Sequence, residues 1–142
     1  MTREDCYAAL FACLAGLVQS GTVRMASRRL QNLNDLGPAQ MPALFLTVGD
    51  QLVQPKHGMP PRRRLTAYCY LYAYNPDAAA AAGIQLNALI DAVEQALAPG
   101  PGQAQTLGGV VEHCWIEGDC PVHEAPKGQK AAALIPIHMM MP

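Results

Sequence analysis

The stretch Leu65-Thr-Ala-Tyr-Cys-Tyr-Leu-Tyr-Ala-Tyr74 decides how this chain folds. Tyr68, Tyr70, Tyr72 and Tyr74 alternate with Ala67, Cys69, Leu71 and Ala73. A period of two is that of a β-strand, so the tyrosines line one face and the small apolar residues the other. The apolar face is suited to lie under a helix. The tyrosine face has two readings. Tyrosine fits a covered sheet face through its strand propensity and cross-strand pairing. It is also enriched at subunit contacts. Four tyrosines opposite an already apolar face favour the contact. Asn75-Pro76-Asp77 ends the strand.

Toward the N-terminus, Arg62, Arg63 and Arg64 lead into this strand, and Pro55, Gly58, Pro60 and Pro61 precede them. Proline lacks a backbone donor, so residues 49–64 read as a Pro/Gly-rich loop. Pro42-Ala-Leu-Phe-Leu-Thr-Val48 reads as a short buried strand bounded by Gly49-Asp50. Residues 22–40 are polar and mixed, with Arg24, Arg28 and Arg29 and a turn at Gly37-Pro38. Tyr7, Leu10, Phe11, Leu14, Leu17 and Val18 recur at helical spacing and predict a helix over 3–19. Asp5 serves near its start, and Gly21 stands in a stop position.

Toward the C-terminus, Ala78–Ala82 and Gly83 read as a loose linker. Leu86, Leu89, Ile90, Val93 and Leu97 form a second helical stripe, which Pro99-Gly-Pro-Gly102 ends. From Thr106 the pattern is extended, alternating from Val110 to Glu117, with Gly108-Gly109 marking a bulge or bend. Pro121 to Gly128 is a polar connection, and Ala131–Met140 is the last strand. Pro136 inside it predicts an edge position or a break. The order helix, strand, strand, helix, strand, strand predicts one α+β domain over 1–142. Its antiparallel sheet carries both helices on one face.

Charged residues are 15% of the 142, well under the roughly 25% of an ordinary soluble domain. Hydrophobic residues are 51% and the net charge is -1. These values exclude a charged disordered chain and a globally basic nucleic-acid binder. No apolar run reaches the ~18 residues of a membrane span. Ala8–Val18 has the length of a signal core, but Glu4 and Asp5 stand before it, so it reads as a helix of a protein made in a cytosol. Five irregularly spaced cysteines, Cys6, Cys13, Cys69, Cys114 and Cys120, do not form a secreted disulfide framework and read as packed free thiols. Neutrality hides an asymmetry. Residues 1–64 hold eight basic and four acidic groups, and residues 65–142 hold two basic and seven acidic. A subunit polarised in this way suits head-to-tail association or complementary neighbours.

Catalytic patterns are sparse. Phosphate-binding glycine loops and a nucleophile elbow are absent, and the two serines, Ser20 and Ser27, lie near the first helix. His113, Cys114, Cys120 and His123 are zinc-ligand types, but His113 and Cys114 point to opposite faces of a strand and the spacing fits no paired-ligand pattern. Asp91 and Glu94, one helical turn apart, fit a solvated helix face better than an acid–base pair. No catalytic residue, metal ligand or cofactor is therefore expected. The arginines Arg24, Arg28, Arg29, Arg62, Arg63 and Arg64 fit a surface for neighbouring subunits, a path for DNA phosphates, or a solvated run.

The ordered set of Met41–Val48, Leu65–Tyr74, Leu86–Glu94, Gln105–Gly118 and Ala131–Met140 resembles the small tail terminator and tail completion proteins of long-tailed bacteriophages. The resemblance spans nearly the whole chain. It implies a twisted sheet with flanking helices and a structural virion protein without catalytic residues. Such a protein forms a ring, usually hexameric, which caps the tail tube at its neck end, stops polymerisation and offers a surface for joining tail to head. Its partners would be further copies of itself, the tube protein and a head-side neck or connector protein. DNA would pass through the lumen without sequence-specific binding, and no membrane is involved. Loop 49–64 would touch the tube, the neighbour or the lumen. Candidate interface or lumen residues are the six arginines and Tyr68, Tyr70, Tyr72 and Tyr74. The competing readings are another neck component, such as a head-closure or head–tail adaptor protein, and a small metal-dependent hydrolase using His113, Cys120 and His123.

Overall fold

In a computed structural model, residues 1–77, 80–125 and 129–142 are described. Helix α1 spans Arg3–Gln19. Thr2 Oγ1 accepts from the Asp5 amide at 3.1 Å, and Asp5 Oδ2 accepts from the Thr2 amide at 2.8 Å. This reciprocal capping box satisfies two donors that the first turn leaves free. At the other end Gly21 adopts φ +80. That left-handed turn lets the Thr22 and Gly21 amides reach the carbonyls of Leu17 and Val18 at 2.9 and 3.1 Å. Cys6, Tyr7, Leu10 and Leu14 form the buried stripe.

The sheet has six strands: β1 Met25–Ser27, β2 Ala43–Lys56, β3 Met59–Tyr74, β4 His113–Ile116, β5 Val122–Glu124 and β6 Lys130–Met140. Their order is β1-β2-β3-β6-β4, with β5 also paired to β6. All pairs are antiparallel except β1 with β2, so the sheet is mixed rather than purely antiparallel. The fold class is α+β, as the element order predicts. Helix α2, Ala82–Ala96, and α1 pack together on one sheet face. There they bury Leu44, Leu46, Ala67, Cys69, Leu71, Ile135, Ile137 and Met139 in one core.

The Pro/Gly-rich segment 49–64 is not a loop. It is the outer half of a hairpin in which β2 and β3 run on to the turn His57-Gly58, with Gly58 at φ +71. The prolines are tolerated because pairing is irregular where they sit. Regular pairing stops at Gln54 with Arg62 and resumes only at Lys56 with Met59, leaving Pro55, Pro60 and Pro61 between. Gly49-Asp50 does not end the earlier strand. It forms a register shift within β2, between Val48 paired with Ala67 and Gln51 paired with Leu65. Residues 22–40 hold strand β1 and two one-turn helices, Leu33–Asp35 and Pro38–Gln40.

The extended pattern expected from Thr106 is confined to β4. Before it, Leu107, Gly108 and Gly109 take φ values of 52, 76 and 91 in a tight turn, which a strand cannot hold. The polar connection 121–128 contains β5, and its last three residues lie outside the described ones. The alanine run 78–82 is partly outside them too, and Ala82 already begins α2. Pro136 causes neither an edge nor a break. Pairing with β3 continues through Tyr68 opposite Pro136, so the missing donor faces the gap between β4 and β5.

Candidate assembly surfaces

The hairpin of β2 and β3 leaves the sheet as an arm. Every residue from Gln51 to Pro60 is exposed. Leu52, Val53 and Met59 are 42%, 49% and 63% exposed, against 0% for Leu44 and Leu71 nearer the base. Two paired strands alone are marginal in water, and these three apolar side chains stand exposed among Gln51, Gln54, Lys56 and His57. Three prolines mask the strand character of this ribbon in the sequence. The available signal was Lys56-His-Gly-Met59, a two-residue turn with glycine between extended residues.

The tyrosine stripe lies on the face opposite the helices, as the alternation predicts. This chain covers one end of it. Tyr72 packs with Leu36, Met41, Ala43 and Phe45 in a second small core, 5.4 Å from the Phe45 ring centre, and its hydroxyl donates to the Gln31 carbonyl at 2.8 Å. Tyr70 and Tyr74 pack against that cluster and are half-buried. Tyr68 lies beyond the cover, beside Gly49. Tyr72 is therefore covered by its own chain, while Tyr68, Tyr70 and Tyr74 keep part of their rings at the surface. Trp115 joins that face. It stacks on His113 at 4.9 Å, lies 5.6 Å from the His138 ring and donates to Glu117 at 2.8 Å. Nothing in the local pattern around Trp115 indicates His138, which arrives on β6 opposite it.

The arginines do not form one patch. Arg24, Arg28 and Arg29 lie at and beside β1, which pairs with β2 only as far as Phe45. Arg62, Arg63 and Arg64 pair with Gln54, Val53 and Leu52, seven to nine residues along β2. At about 3.3 Å per residue, that is roughly 23–30 Å away. Arg28 pairs with Glu4 and lies 5.8 Å over the Tyr7 ring. The hydrogen bond from Arg28 holds the Glu4 carboxyl below its ordinary range. Arg62 pairs with Glu112 at 2.8 Å. Arg24 and Arg29 are exposed. The Nε atoms of Arg63 and Arg64 are screened from water and have no hydrogen-bond partner.

The chemistry-bearing candidates remain dispersed. Cys114 is buried toward the helices while His113 stacks on Trp115. No group of three or more metal-ligating side chains gathers among the described residues. Glu94 and His113 line a groove of about 430 Å³ between the end of α2 and β4. Asp91 and Glu94 are exposed on α2. Ser20 Oγ donates to the Leu17 carbonyl, and Ser27 Oγ accepts from the Arg29 amide. Burial pushes the Cys69 and Cys114 thiols up to about 12, as expected of packed cysteines, whereas Cys120 is exposed. Among the described residues, no helix is long and apolar enough to cross a membrane.

No protein-family model matches the chain, and no curated protein matches it. Among solved structures it is similar to a chain of the virion of a native gene transfer agent (GTA) particle, with a TM-score of 0.53. The match covers 94% of this chain and 92% of that one at 14% identity. At that identity the likeness is one of fold.

Proposed function

We propose that this chain is a structural protein of a phage-like virion. More specifically, we propose a tail terminator: a ring of identical subunits, six in the leading reading, that caps the tail tube at the neck end and offers its other surface to a head-side connector. The observation that carries the reading is the exposed arm at residues 51–60, which holds Leu52, Val53 and Met59 out at the surface. The whole-length likeness in fold to a virion chain supports it. So do the half-exposed Tyr68, Tyr70 and Tyr74, a residue type favoured at subunit contacts.

The mechanism is geometric. A ring forms when a head-to-tail contact closes. One ring surface accepts the last layer of the tube and the other does not repeat it, so growth stops. The arginines would face the lumen, the tube or the adjoining ring, and passing DNA would meet them through phosphates alone.

Native mass measurement and electron microscopy of the purified protein, alone and with preformed tail tubes, test the reading. Closed rings at tube ends are the expected result. A protein that stays monomeric at high concentration and leaves tube ends bare would overturn it. Binding to portal-side rings instead of tubes would make it a head-closure or adaptor protein.

A further inference from the structure

The chain carries opposite charges on opposite edges of its sheet. On one side, β2 is the outermost strand beyond Phe45, where its pairing with β1 stops. Its outer half belongs to the arm. Residues 50–64 hold Lys56, Arg62, Arg63 and Arg64 against Asp50 alone. Arg62 is taken by Glu112, whereas the Nε donors of Arg63 and Arg64 are unpaired and screened from water. On the other side, β5 lies outside β6 with all three residues exposed, Val122 at 54%. The stretch 117–124 holds Glu117, Asp119 and Glu124 and no lysine or arginine.

We propose that the arm of one copy docks on the acidic β5 edge of a second copy. Lys56, Arg63 and Arg64 meet Glu117, Asp119 and Glu124, while Leu52, Val53 and Met59 pack toward Val122. The occupant is another copy because one chain presents both complementary surfaces, and they face away from each other across the sheet. Arm against arm, or edge against edge, brings like charges together, and the placement of arm and β5 at opposite edges keeps one pair of copies from making both arm-to-edge contacts at once, so the contact is head-to-tail. Such a contact repeats until it closes as a ring or continues as a filament. The inference deepens the assembly reading above by naming its subunit contact, and ring closure rests on that reading.

The test is a charge exchange. An arm-reversed variant, Lys56→Glu/Arg64→Glu, has two acidic surfaces, and an edge-reversed variant, Glu117→Lys/Asp119→Lys, has two basic ones. Should the arm-reversed variant lose its folded circular dichroism, Leu52→Asp/Gln54→Glu/Lys56→Glu, which alters only exposed positions and leaves four acidic against three basic groups in residues 50–64, takes its place. Sedimentation velocity should show wild-type self-association weakening roughly tenfold or more between about 0.05 and 0.5 M salt. Each reversed variant should stay monomeric where the wild type assembles, and an equal mixture of the two should assemble again. A mixture that stays monomeric, or a reversed variant that assembles as wild type does, overturns the contact. Rings persisting in both variants would do so while leaving the ring reading intact. Open head-to-tail filaments dependent on both surfaces would keep the contact and remove the ring.

Discussion

The Tyr7 hydroxyl donates to the Thr66 carbonyl at 2.9 Å, tying α1 to β3 across 59 positions of the chain. Tyr7 is 2% exposed, and this burial pushes its hydroxyl above the ordinary tyrosine value. Removing the hydroxyl leaves a buried acceptor without its donor, which costs about 1–3 kcal/mol. Tyr7→Phe should therefore lower the urea midpoint with little change in slope. An unaltered midpoint would show that the contact contributes nothing.

Gly49 is the second device at this place. A Cβ there would lie 2.8 Å from Tyr68 Cε2 and 3.1 Å from both Thr66 Cγ2 and the Thr66 carbonyl oxygen. The backbone oxygen cannot yield as a ring can, so Gly49→Ala should cost about 1–3 kcal/mol through overpacking. Adding Tyr68→Ala should recover only the part due to the ring. Thermal unfolding of the two single variants and the double separates the contributions.

The thiols should divide by burial. Cys120 is exposed, Cys13 is half-buried with its Sγ donating to the Ala96 carbonyl at 3.4 Å, and Cys6, Cys69 and Cys114 are buried. An aromatic disulfide reagent should titrate Cys120 first, Cys13 more slowly and the other three only on unfolding. Rapid release from all five thiols in the folded protein would contradict the packing.

Alkali should destabilise the fold from about pH 9 upward. The Cys69 and Cys114 thiols ionise near 9.0 when unfolded and near 12 when folded. Above pH 9 the unfolded chain therefore releases protons that the folded chain keeps. The stabilisation is complete below the unfolded value and is lost as pH rises toward the folded one. Each thiol contributes a slope of roughly 1.4 kcal/mol per pH unit across that window. Cys69→Val should reduce the slope measured by urea titrations at stepped pH.

Leucines at the two ends of the hairpin should behave oppositely. Leu71 is fully buried, so Leu71→Ala should cost about 2–5 kcal/mol of stability. Leu52 is 42% exposed on the arm, so Leu52→Ala should change stability by less than about 0.5 kcal/mol while weakening self-association. Urea unfolding and sedimentation on the same samples distinguish the two effects.

The legible parts of the fold are those written in short-range spacing. The α1 stripe at Tyr7, Leu10 and Leu14 and the alternation from Leu65 to Tyr74 place side chains on faces through backbone period alone. The glycine after α1 marks its end because only its left-handed turn brings the Thr22 amide to the Leu17 carbonyl. The arm was hidden by its prolines, whose effect depends on whether each missing donor faces a neighbour. The candidate surface was legible in composition, through sparse and polarised charge. Its arrangement was not, since Arg28 and Arg62 find acids 24 and 50 positions away.

The sequence by itself determined the two helices, the end of each and the two-faced character of β3, because these follow from local backbone geometry and from the pattern of apolar side chains. Only the tertiary structure decided that β1 lies parallel to β2, that residues 36–45 close over Tyr72, and that the basic arm and acidic β5 lie at opposite sides of one sheet. Strand partners are chosen by what comes alongside in space. A backbone donor or a tyrosine ring carries no local mark of the group that will satisfy or cover it.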